Sequence, residues 1–251
     1  MSLPDPVVLV AALIVGMSKG GMSTLGSIAV PLMALRMDPL SAAALLLPVY
    51  IASDVVGVLL YRNDRSLRNV AILIPAGLLG VALATVVAPY VSADVFLVAT
   101  GVIGLAYCAR AWLGRGRQAA PRAADVPRGL FWGMMTGLVS FISHSGGPPY
   151  QVYVLPQKLP KIVYAGTTTI VFAAINLAKL PAYWSIGLFE RTDLMAVWPL
   201  LAAALAGTVL GYRLTLVLPE RIYMAIIQIL LFLLSVRLVW DGVAALFAGA
   251  G

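Results

Sequence analysis

Gly16-Met17-Ser18-Lys19-Gly20-Gly21-Met22-Ser23 interrupts what would otherwise be a continuous apolar helix, and the fold follows from how that interruption is read. Upstream lies Val7 to Val15, an apolar run too short to cross a bilayer. Downstream, Ile28 to Leu35 resumes it, with Pro31 weakening that piece as a regular helix. A second break, Ser143-His144-Ser145-Gly146-Gly147-Pro148-Pro149, falls in the other half of the chain. Hydrocarbon offers no partner to a free backbone N–H or C=O, so irregular chain at membrane depth survives only where it is buried in protein or lines a polar cavity. Two such breaks, one per half, predict a binding site between the halves.

The composition around the breaks sets the class. Of 251 residues 61% are apolar and 11% charged, with a mean hydropathy of +0.97, against about 45–50% and about 25% in soluble domains. The expected fold is all-α: a polytopic membrane protein of about eight apolar segments at roughly 20 residues each, with no room for a soluble domain. The formal charge of +7 comes from basic residues in short loops beside apolar runs, the positive-inside pattern. No basic stripe with interleaved aromatics marks a nucleic-acid partner. Cys108 is the only cysteine and His144 the only histidine, so a disulfide, a thiolate cluster and a transition-metal site all lack their ligands, and no cofactor is expected. Met1-Ser2-Leu3-Pro4-Asp5-Pro6 has no Lys or Arg before the first apolar run and no small-residue cleavage site after it, and reads as a mature end rather than a signal peptide.

The remaining spans are Leu40 to Leu60, Val70 to Tyr90, Val95 to Leu113, Gly129 to Ile142 running into the second break, Ile162 to Leu188, Leu194 to Leu218, and Ile222 to Leu246. Arg62, Arg65 and Arg68 place the loop after the second segment in the cytoplasm, as do Arg115, Arg117, Arg122 and Arg128 for the linker over 114–128. Ser92 to Asp94 and Glu190-Arg191-Thr192-Asp193 make short turns, and Pro156 to Pro160 carries Lys158.

The chain divides into a first membrane repeat over 1–113, the basic linker, and a second repeat over 129–251. Lys19-Gly20-Gly21 aligns with Ser145-Gly146-Gly147, Ala43 with Ala165, Val49 with Val171, Ala52 with Ala174, Tyr61 with Tyr183, Pro75 with Pro199 and Arg110 with Arg237. The shared order of break, span, charged turn, span, short turn, span carries more weight than any one pair. Broken segments that cross the bilayer make the repeats parallel, and re-entrant ones make them inverted; both stay open, with Lys158, Lys161, Arg213 and Arg221 all cytoplasmic in the inverted case.

The polar residues of the breaks suit an anion. Gly20 and Gly21 let backbone amides approach a ligand, Lys19 adds a full charge, and Ser18, Ser23 and Thr24 add hydroxyls. In the second half Ser143, His144, Ser145, Gly146, Gly147, Tyr150 and Gln151 supply the counterparts, His144 being of the type that titrates near neutral pH. The competing reading is close helix packing through small residues. In the following spans Asp54 aligns with Asn176, and Lys179 lies three residues on, on the same helix face. An ionisable group at membrane depth faces the bundle interior, so Asp54 is the candidate coupling residue for a proton or cation, or else the acid of an ion pair with Lys19 or Lys179. Thr167, Thr168 and Thr169 are pocket donors or hydroxyls bonded back to their own helix.

At Gly16, Lys19-Gly20-Gly21 and Pro31, and at Ser145-Gly146-Gly147-Pro148-Pro149 with Ala165-Gly166-Thr167-Thr168, the chain resembles the sulfite exporter TauE/SafE family, the toluene-sulfonate uptake permeases. The resemblance covers essentially the whole chain. It implies a multi-pass secondary transporter of the bacterial inner membrane for a small sulfur anion such as sulfite, a sulfonate or sulfoacetate, with the lipid bilayer and a homodimer as the other partners to look for. One departure is that Ala43-Ala44-Leu45-Leu46 stands opposite Ala165-Gly166-Thr167-Thr168 and lacks its hydroxyls. The alternatives are a passive anion channel and an intramembrane enzyme. The enzyme is disfavoured because Ser143 and His144 are adjacent in sequence, so they do not face one another as nucleophile and base.

Overall fold

The computed structural model describes residues 5–33, 39–87, 90, 93–113, 120–185 and 197–248. Met1 to Pro4, Ser92, Arg115 and Arg117 of the linker, and the charged turn Glu190 to Asp193 lie outside the described residues.

All regular structure among the described residues is helical: α1 (Pro6–Lys19), α2 (Gly26–Met33), α3 (Pro39–Tyr61), α4 (Leu67–Val87), α5 (Ala93–Leu113), α6 (Val126–Ser143), α7 (Gly147–Val154), α8 (Lys161–Ser185), α9 (Val197–Val217) and α10 (Glu220–Ala248). Short 3₁₀ turns, Ser23–Leu25 and Leu155–Gln157, precede α2 and follow α7. Among the described residues α4, α8, α9 and α10 are long and apolar enough to cross a hydrocarbon core, and α1, α3 and α5 add shorter apolar stretches. This is the helical content of a multi-pass membrane protein.

Both breaks are narrower than the sequence suggests. Asp5 caps α1 by accepting from the Val7 amide at 2.8 Å, and α1 then runs unbroken through Gly16, Met17 and Ser18 to Lys19. The turn is made at Gly21, whose φ of +120° only glycine adopts without strain. In the second break α6 includes Ser143 and ends on His144 in the left-handed conformation, φ 53°. There Gly146 leads into α7, and Pro148 and Pro149 fall in its first turn, where the missing N–H costs nothing.

The chain forms two compact units, Met1–Leu67 with Lys161–Tyr223 and Arg68–Pro160 with Met224–Gly251. Each unit draws on both the 1–113 and the 129–251 portions. In the first, α1 lies along α9 through glycines on both helices: the Gly16 and Gly20 α-carbons meet the backbone at Ala204, Thr208 and Gly211, and Gly207 and Gly211 meet the backbone at Leu13 and Met17. Val8, Ala12, Val15, Met33, Leu46, Val49 and Leu200 close the core around this seam. In the second unit α6 meets α4 in the same manner, Gly137 against Gly77 and Gly80 against Met134. Gly101 and Gly104 of α5 meet Ser235 of α10 there. That unit also holds a two-way amide pair, Asn69 with Gln157, at 2.8 and 3.1 Å.

Replacing Gly211 with leucine drives a side chain into the Met17 backbone. The expected loss is about 1–3 kcal/mol, at the level of overpacking, read as a lower midpoint in detergent thermal unfolding. Val209→Leu, on an exposed position of the same helix, is expected to leave the midpoint in place.

Candidate functional site

The end of α1 is the starting point, because its polarity decides what it can hold. The Gly20 amide donates to Gly16 O at 2.9 Å, Gly21 to Ser18 O at 3.4 Å and Met22 to Met17 O at 3.2 Å, so these N–H groups are spent inside the helix turn. The break is the carboxyl end of a helix and presents carbonyls, which carry partial negative charge. Hydroxyls satisfy them: Thr169 donates to Lys19 O at 3.1 Å, Tyr61 and Thr215 to Gly20 O at 2.7 and 3.2 Å, and Tyr223 to Gly21 O at 2.5 Å. The amide approach expected at Gly20 and Gly21 is therefore replaced by a carbonyl end tied from four directions.

What α1 does project is Lys19. Its ammonium lies 2.8 Å from Asp54 Oδ1 on α3 and 5.0 Å from the centroid of the Tyr50 ring, one helical turn before Asp54. The Asn176 amide on α8 donates to Asp54 Oδ2 at 2.7 Å, and Lys179 Nζ donates to Asn176 Oδ1 at 3.3 Å. Lys19, Asp54, Asn176 and Lys179 form one chain of polar contacts, each 5% exposed or less. Asp54 is in electrostatic reach of both lysines, and the lysines of each other. Two buried lysines stand beside one carboxyl group. Of the two ion pairs open to Asp54, the one formed is with Lys19. The Asp54–Asn176 hydrogen bond joins positions 122 residues apart (176 − 54), the same spacing as Tyr61 and Tyr183 (183 − 61).

Beside this chain a cleft of about 300 Å³ opens between α3 and α8, lined by Ile51, Asp54, Val55, Val58, Leu59, Ala173, Ala174 and Leu177. Its walls are aliphatic except for Asp54.

Ser18 Oγ is tied to Val15 O at 2.6 Å, Thr24 is fully buried, and Ser23 Oγ is a buried atom with no hydrogen-bond partner. Thr167 donates to Val163 O at 2.6 Å and accepts from the Ser66 amide at 2.9 Å, fastening α8 to the turn after α3, while Thr168 bonds back to Tyr164 O at 2.7 Å. In the second unit Ser143 Oγ donates to Val139 O at 3.2 Å and Ser145 Oγ to Ser143 O at 3.1 Å; Tyr150 and Gln151 are fully buried on α7. Gly146 and Gly147 start α7, whose first turn has few amides to offer, since Pro148 and Pro149 have none. Tyr50, Thr215 and Tyr223 were not indicated by the sequence, and Tyr61 only as the counterpart of Tyr183. Tyr50 had a signal, four residues before Asp54, whereas the other three meet α1 only through tertiary contacts.

With the geometry in view, the comparison with known proteins is decisive at the level of family. The family model described as sulfite exporter TauE/SafE matches residues 8–238. The chain belongs to this family. No curated protein and no solved structure matches it. TauE/SafE membership makes the chain a transporter-family protein rather than a member of an enzyme family, with a membrane setting and a small anion as substrate.

In this TauE/SafE protein the buried pair sets a testable energetic pattern. Removing one partner strands a charge, so Lys19→Met or Asp54→Leu alone is expected to cost about 3–5 kcal/mol, and the double variant to recover much of it. Thermal unfolding of the two single variants and the double variant checks the coupling.

Proposed function

We propose that this protein is a secondary transporter of a small sulfur-containing anion, of the sulfite, sulfonate or sulfoacetate kind, across the bacterial inner membrane by alternating access. The observation that carries the proposal is the buried Lys19–Asp54–Asn176–Lys179 chain, two lysines to one acidic residue on segments otherwise apolar. Charges at membrane depth are costly and face functional cavities. An oxyanion offers several acceptors to such ammonium donors, and the aliphatic surroundings strengthen the attraction.

Lys19 and Lys179 are the anion's cationic partners in this reading, and Asn176 and the unpartnered Ser23 hydroxyl are neutral donors. Binding by a few donors rather than a cage of arginines keeps release feasible. The two sequence portions are taken as an internal repeat, with Arg62, Arg65 and Arg68 on the cytoplasmic side. The hydroxyls and glycines of Ser143 to Gln151 belong to the second copy of the break in this scheme.

Uptake of radiolabelled sulfite and sulfoacetate into proteoliposomes tests the proposal. Lys19→Ala and Lys179→Ala are each expected to lower uptake at least about tenfold, the worth of one charge-assisted contact, while Arg128→Ala, exposed beside Asp125, stays at wild-type rate. Undiminished uptake in both lysine variants would remove the assignment.

A further inference from the structure

We infer that Asp54 and the transported anion alternate as the counter-ion of Lys19, so that each anion enters with one proton, which goes onto Asp54 Oδ1. This rests on the transport reading above and names its coupling ion.

The Lys19 ammonium is buried and confined between Asp54 Oδ1 at 2.8 Å and the Tyr50 ring. An anion drawn to it arrives within a few ångströms of the carboxylate, where two like charges in a poorly screened site oppose one another and the basic one takes a proton. The groups around Asp54 favour a proton over a metal cation. Oδ1 is paired with the Lys19 ammonium and Oδ2 accepts from the Asn176 amide, whereas hard cations need a shell of oxygen ligands. Among the described residues no three acidic, histidine or cysteine side chains gather.

The helices packed on α3 bring Lys19 from α1 and Lys179 and Tyr183 from α8, the last facing Tyr50. α2 has no ionisable residue, and of the two on α9, Tyr212 packs on Tyr61, seven residues beyond Asp54, with Arg213 next in sequence.

The balance is simple. Before binding, Lys19 ammonium faces Asp54 carboxylate. Afterwards Lys19 faces the anion, Asp54 is a carboxylic acid with O–H at Oδ1, and Asn176 still donates to Oδ2. One O–H bond forms at Oδ1 as hydronium from the side of anion entry gives up one of its own, and the cluster's charge is unchanged. The α3–α8 cleft, walled by Ile51, Val55, Val58 and Leu177, leads to this carboxyl. An apolar carbodiimide fits such a place and reacts only with the protonated acid. The acid adds across one C=N bond, its oxygen to carbon and its proton to nitrogen.

Methanesulfonate is the probe, because it stays ionised at working pH and carries no proton itself. In proteoliposomes of the wild-type protein its influx is expected to acidify an enclosed pyranine solution by one proton per anion. A pH gradient, acid outside, is expected to accumulate methanesulfonate about tenfold per unit. Asp54→Asn is expected to lose that accumulation and the pH dependence of its exchange. Independently, labelling of wild-type Asp54 by dicyclohexylcarbodiimide, read by peptide mass spectrometry, is expected to rise severalfold when methanesulfonate is added. Uptake without proton movement, or labelling that methanesulfonate leaves unchanged or slows, overturns the inference and leaves the transport reading standing. Failure of folded wild-type protein to take up either methanesulfonate or sulfite overturns the transport reading and this inference with it.

Discussion

A charge in hydrocarbon must be answered at close range, and the ion pair between Lys19 and Asp54 is how this chain answers its first one. The pair depends on α1 stopping at Lys19. Had the helix continued, carbonyls 19 to 21 would have gone to amides further along; instead they take hydroxyls from α3, α8, α9 and the first turn of α10. Those ties fix the last turn of α1, and through it the direction in which Lys19 extends. Asn176 holds the second oxygen of Asp54 and also accepts from Lys179, so a fully buried lysine is linked to the same carboxylate through one amide.

The scaffold beneath this site is made by subtraction of side chains. Between α1 and α9 glycines occupy the crossing from both sides, so the backbones touch directly. Without an aqueous driving force between apolar helices, such contact supplies the cohesion. The same device joins α6 to α4 within the second unit. In the first unit the helix entering a break leans on α9, and in the second the helix entering a break leans on α4.

Much of the fold was legible because spans are set by length and apolarity, and those survive any tertiary arrangement. Leu40 to Leu60 became Pro39–Tyr61, and Val95 to Leu113 became Ala93–Leu113. Family membership was legible from the paired breaks. Within the site, Asp54, Asn176 and Lys179 were readable as polar residues sharing a helix position or face, and the pairing of Asp54 with Lys19 was one of two readings. The extent and polarity of the first break were not. Glycine permits a turn without compelling one, and Gly16 spends its missing side chain on contact with α9 while remaining helical. Whether a glycine in a break offers its amide or its carbonyl depends on where the helix before it stops, which composition does not encode. Thr167, readable as a pocket donor or as a hydroxyl bonded back to its own helix, bonds back to Val163 O and also accepts from the Ser66 amide.

The ties on carbonyls 19 to 21 reach far along the chain: Thr169 to Lys19 spans 150 residues, Thr215 to Gly20 195, and Tyr223 to Gly21 202. The end of α1 is thus completed by helices made much later in the chain. During synthesis α1 must wait with its carboxyl end uncapped until α8, α9 and the start of α10 have been made, and such long-range closure makes assembly slow. The element that carries Lys19 is made well before the residues that complete it.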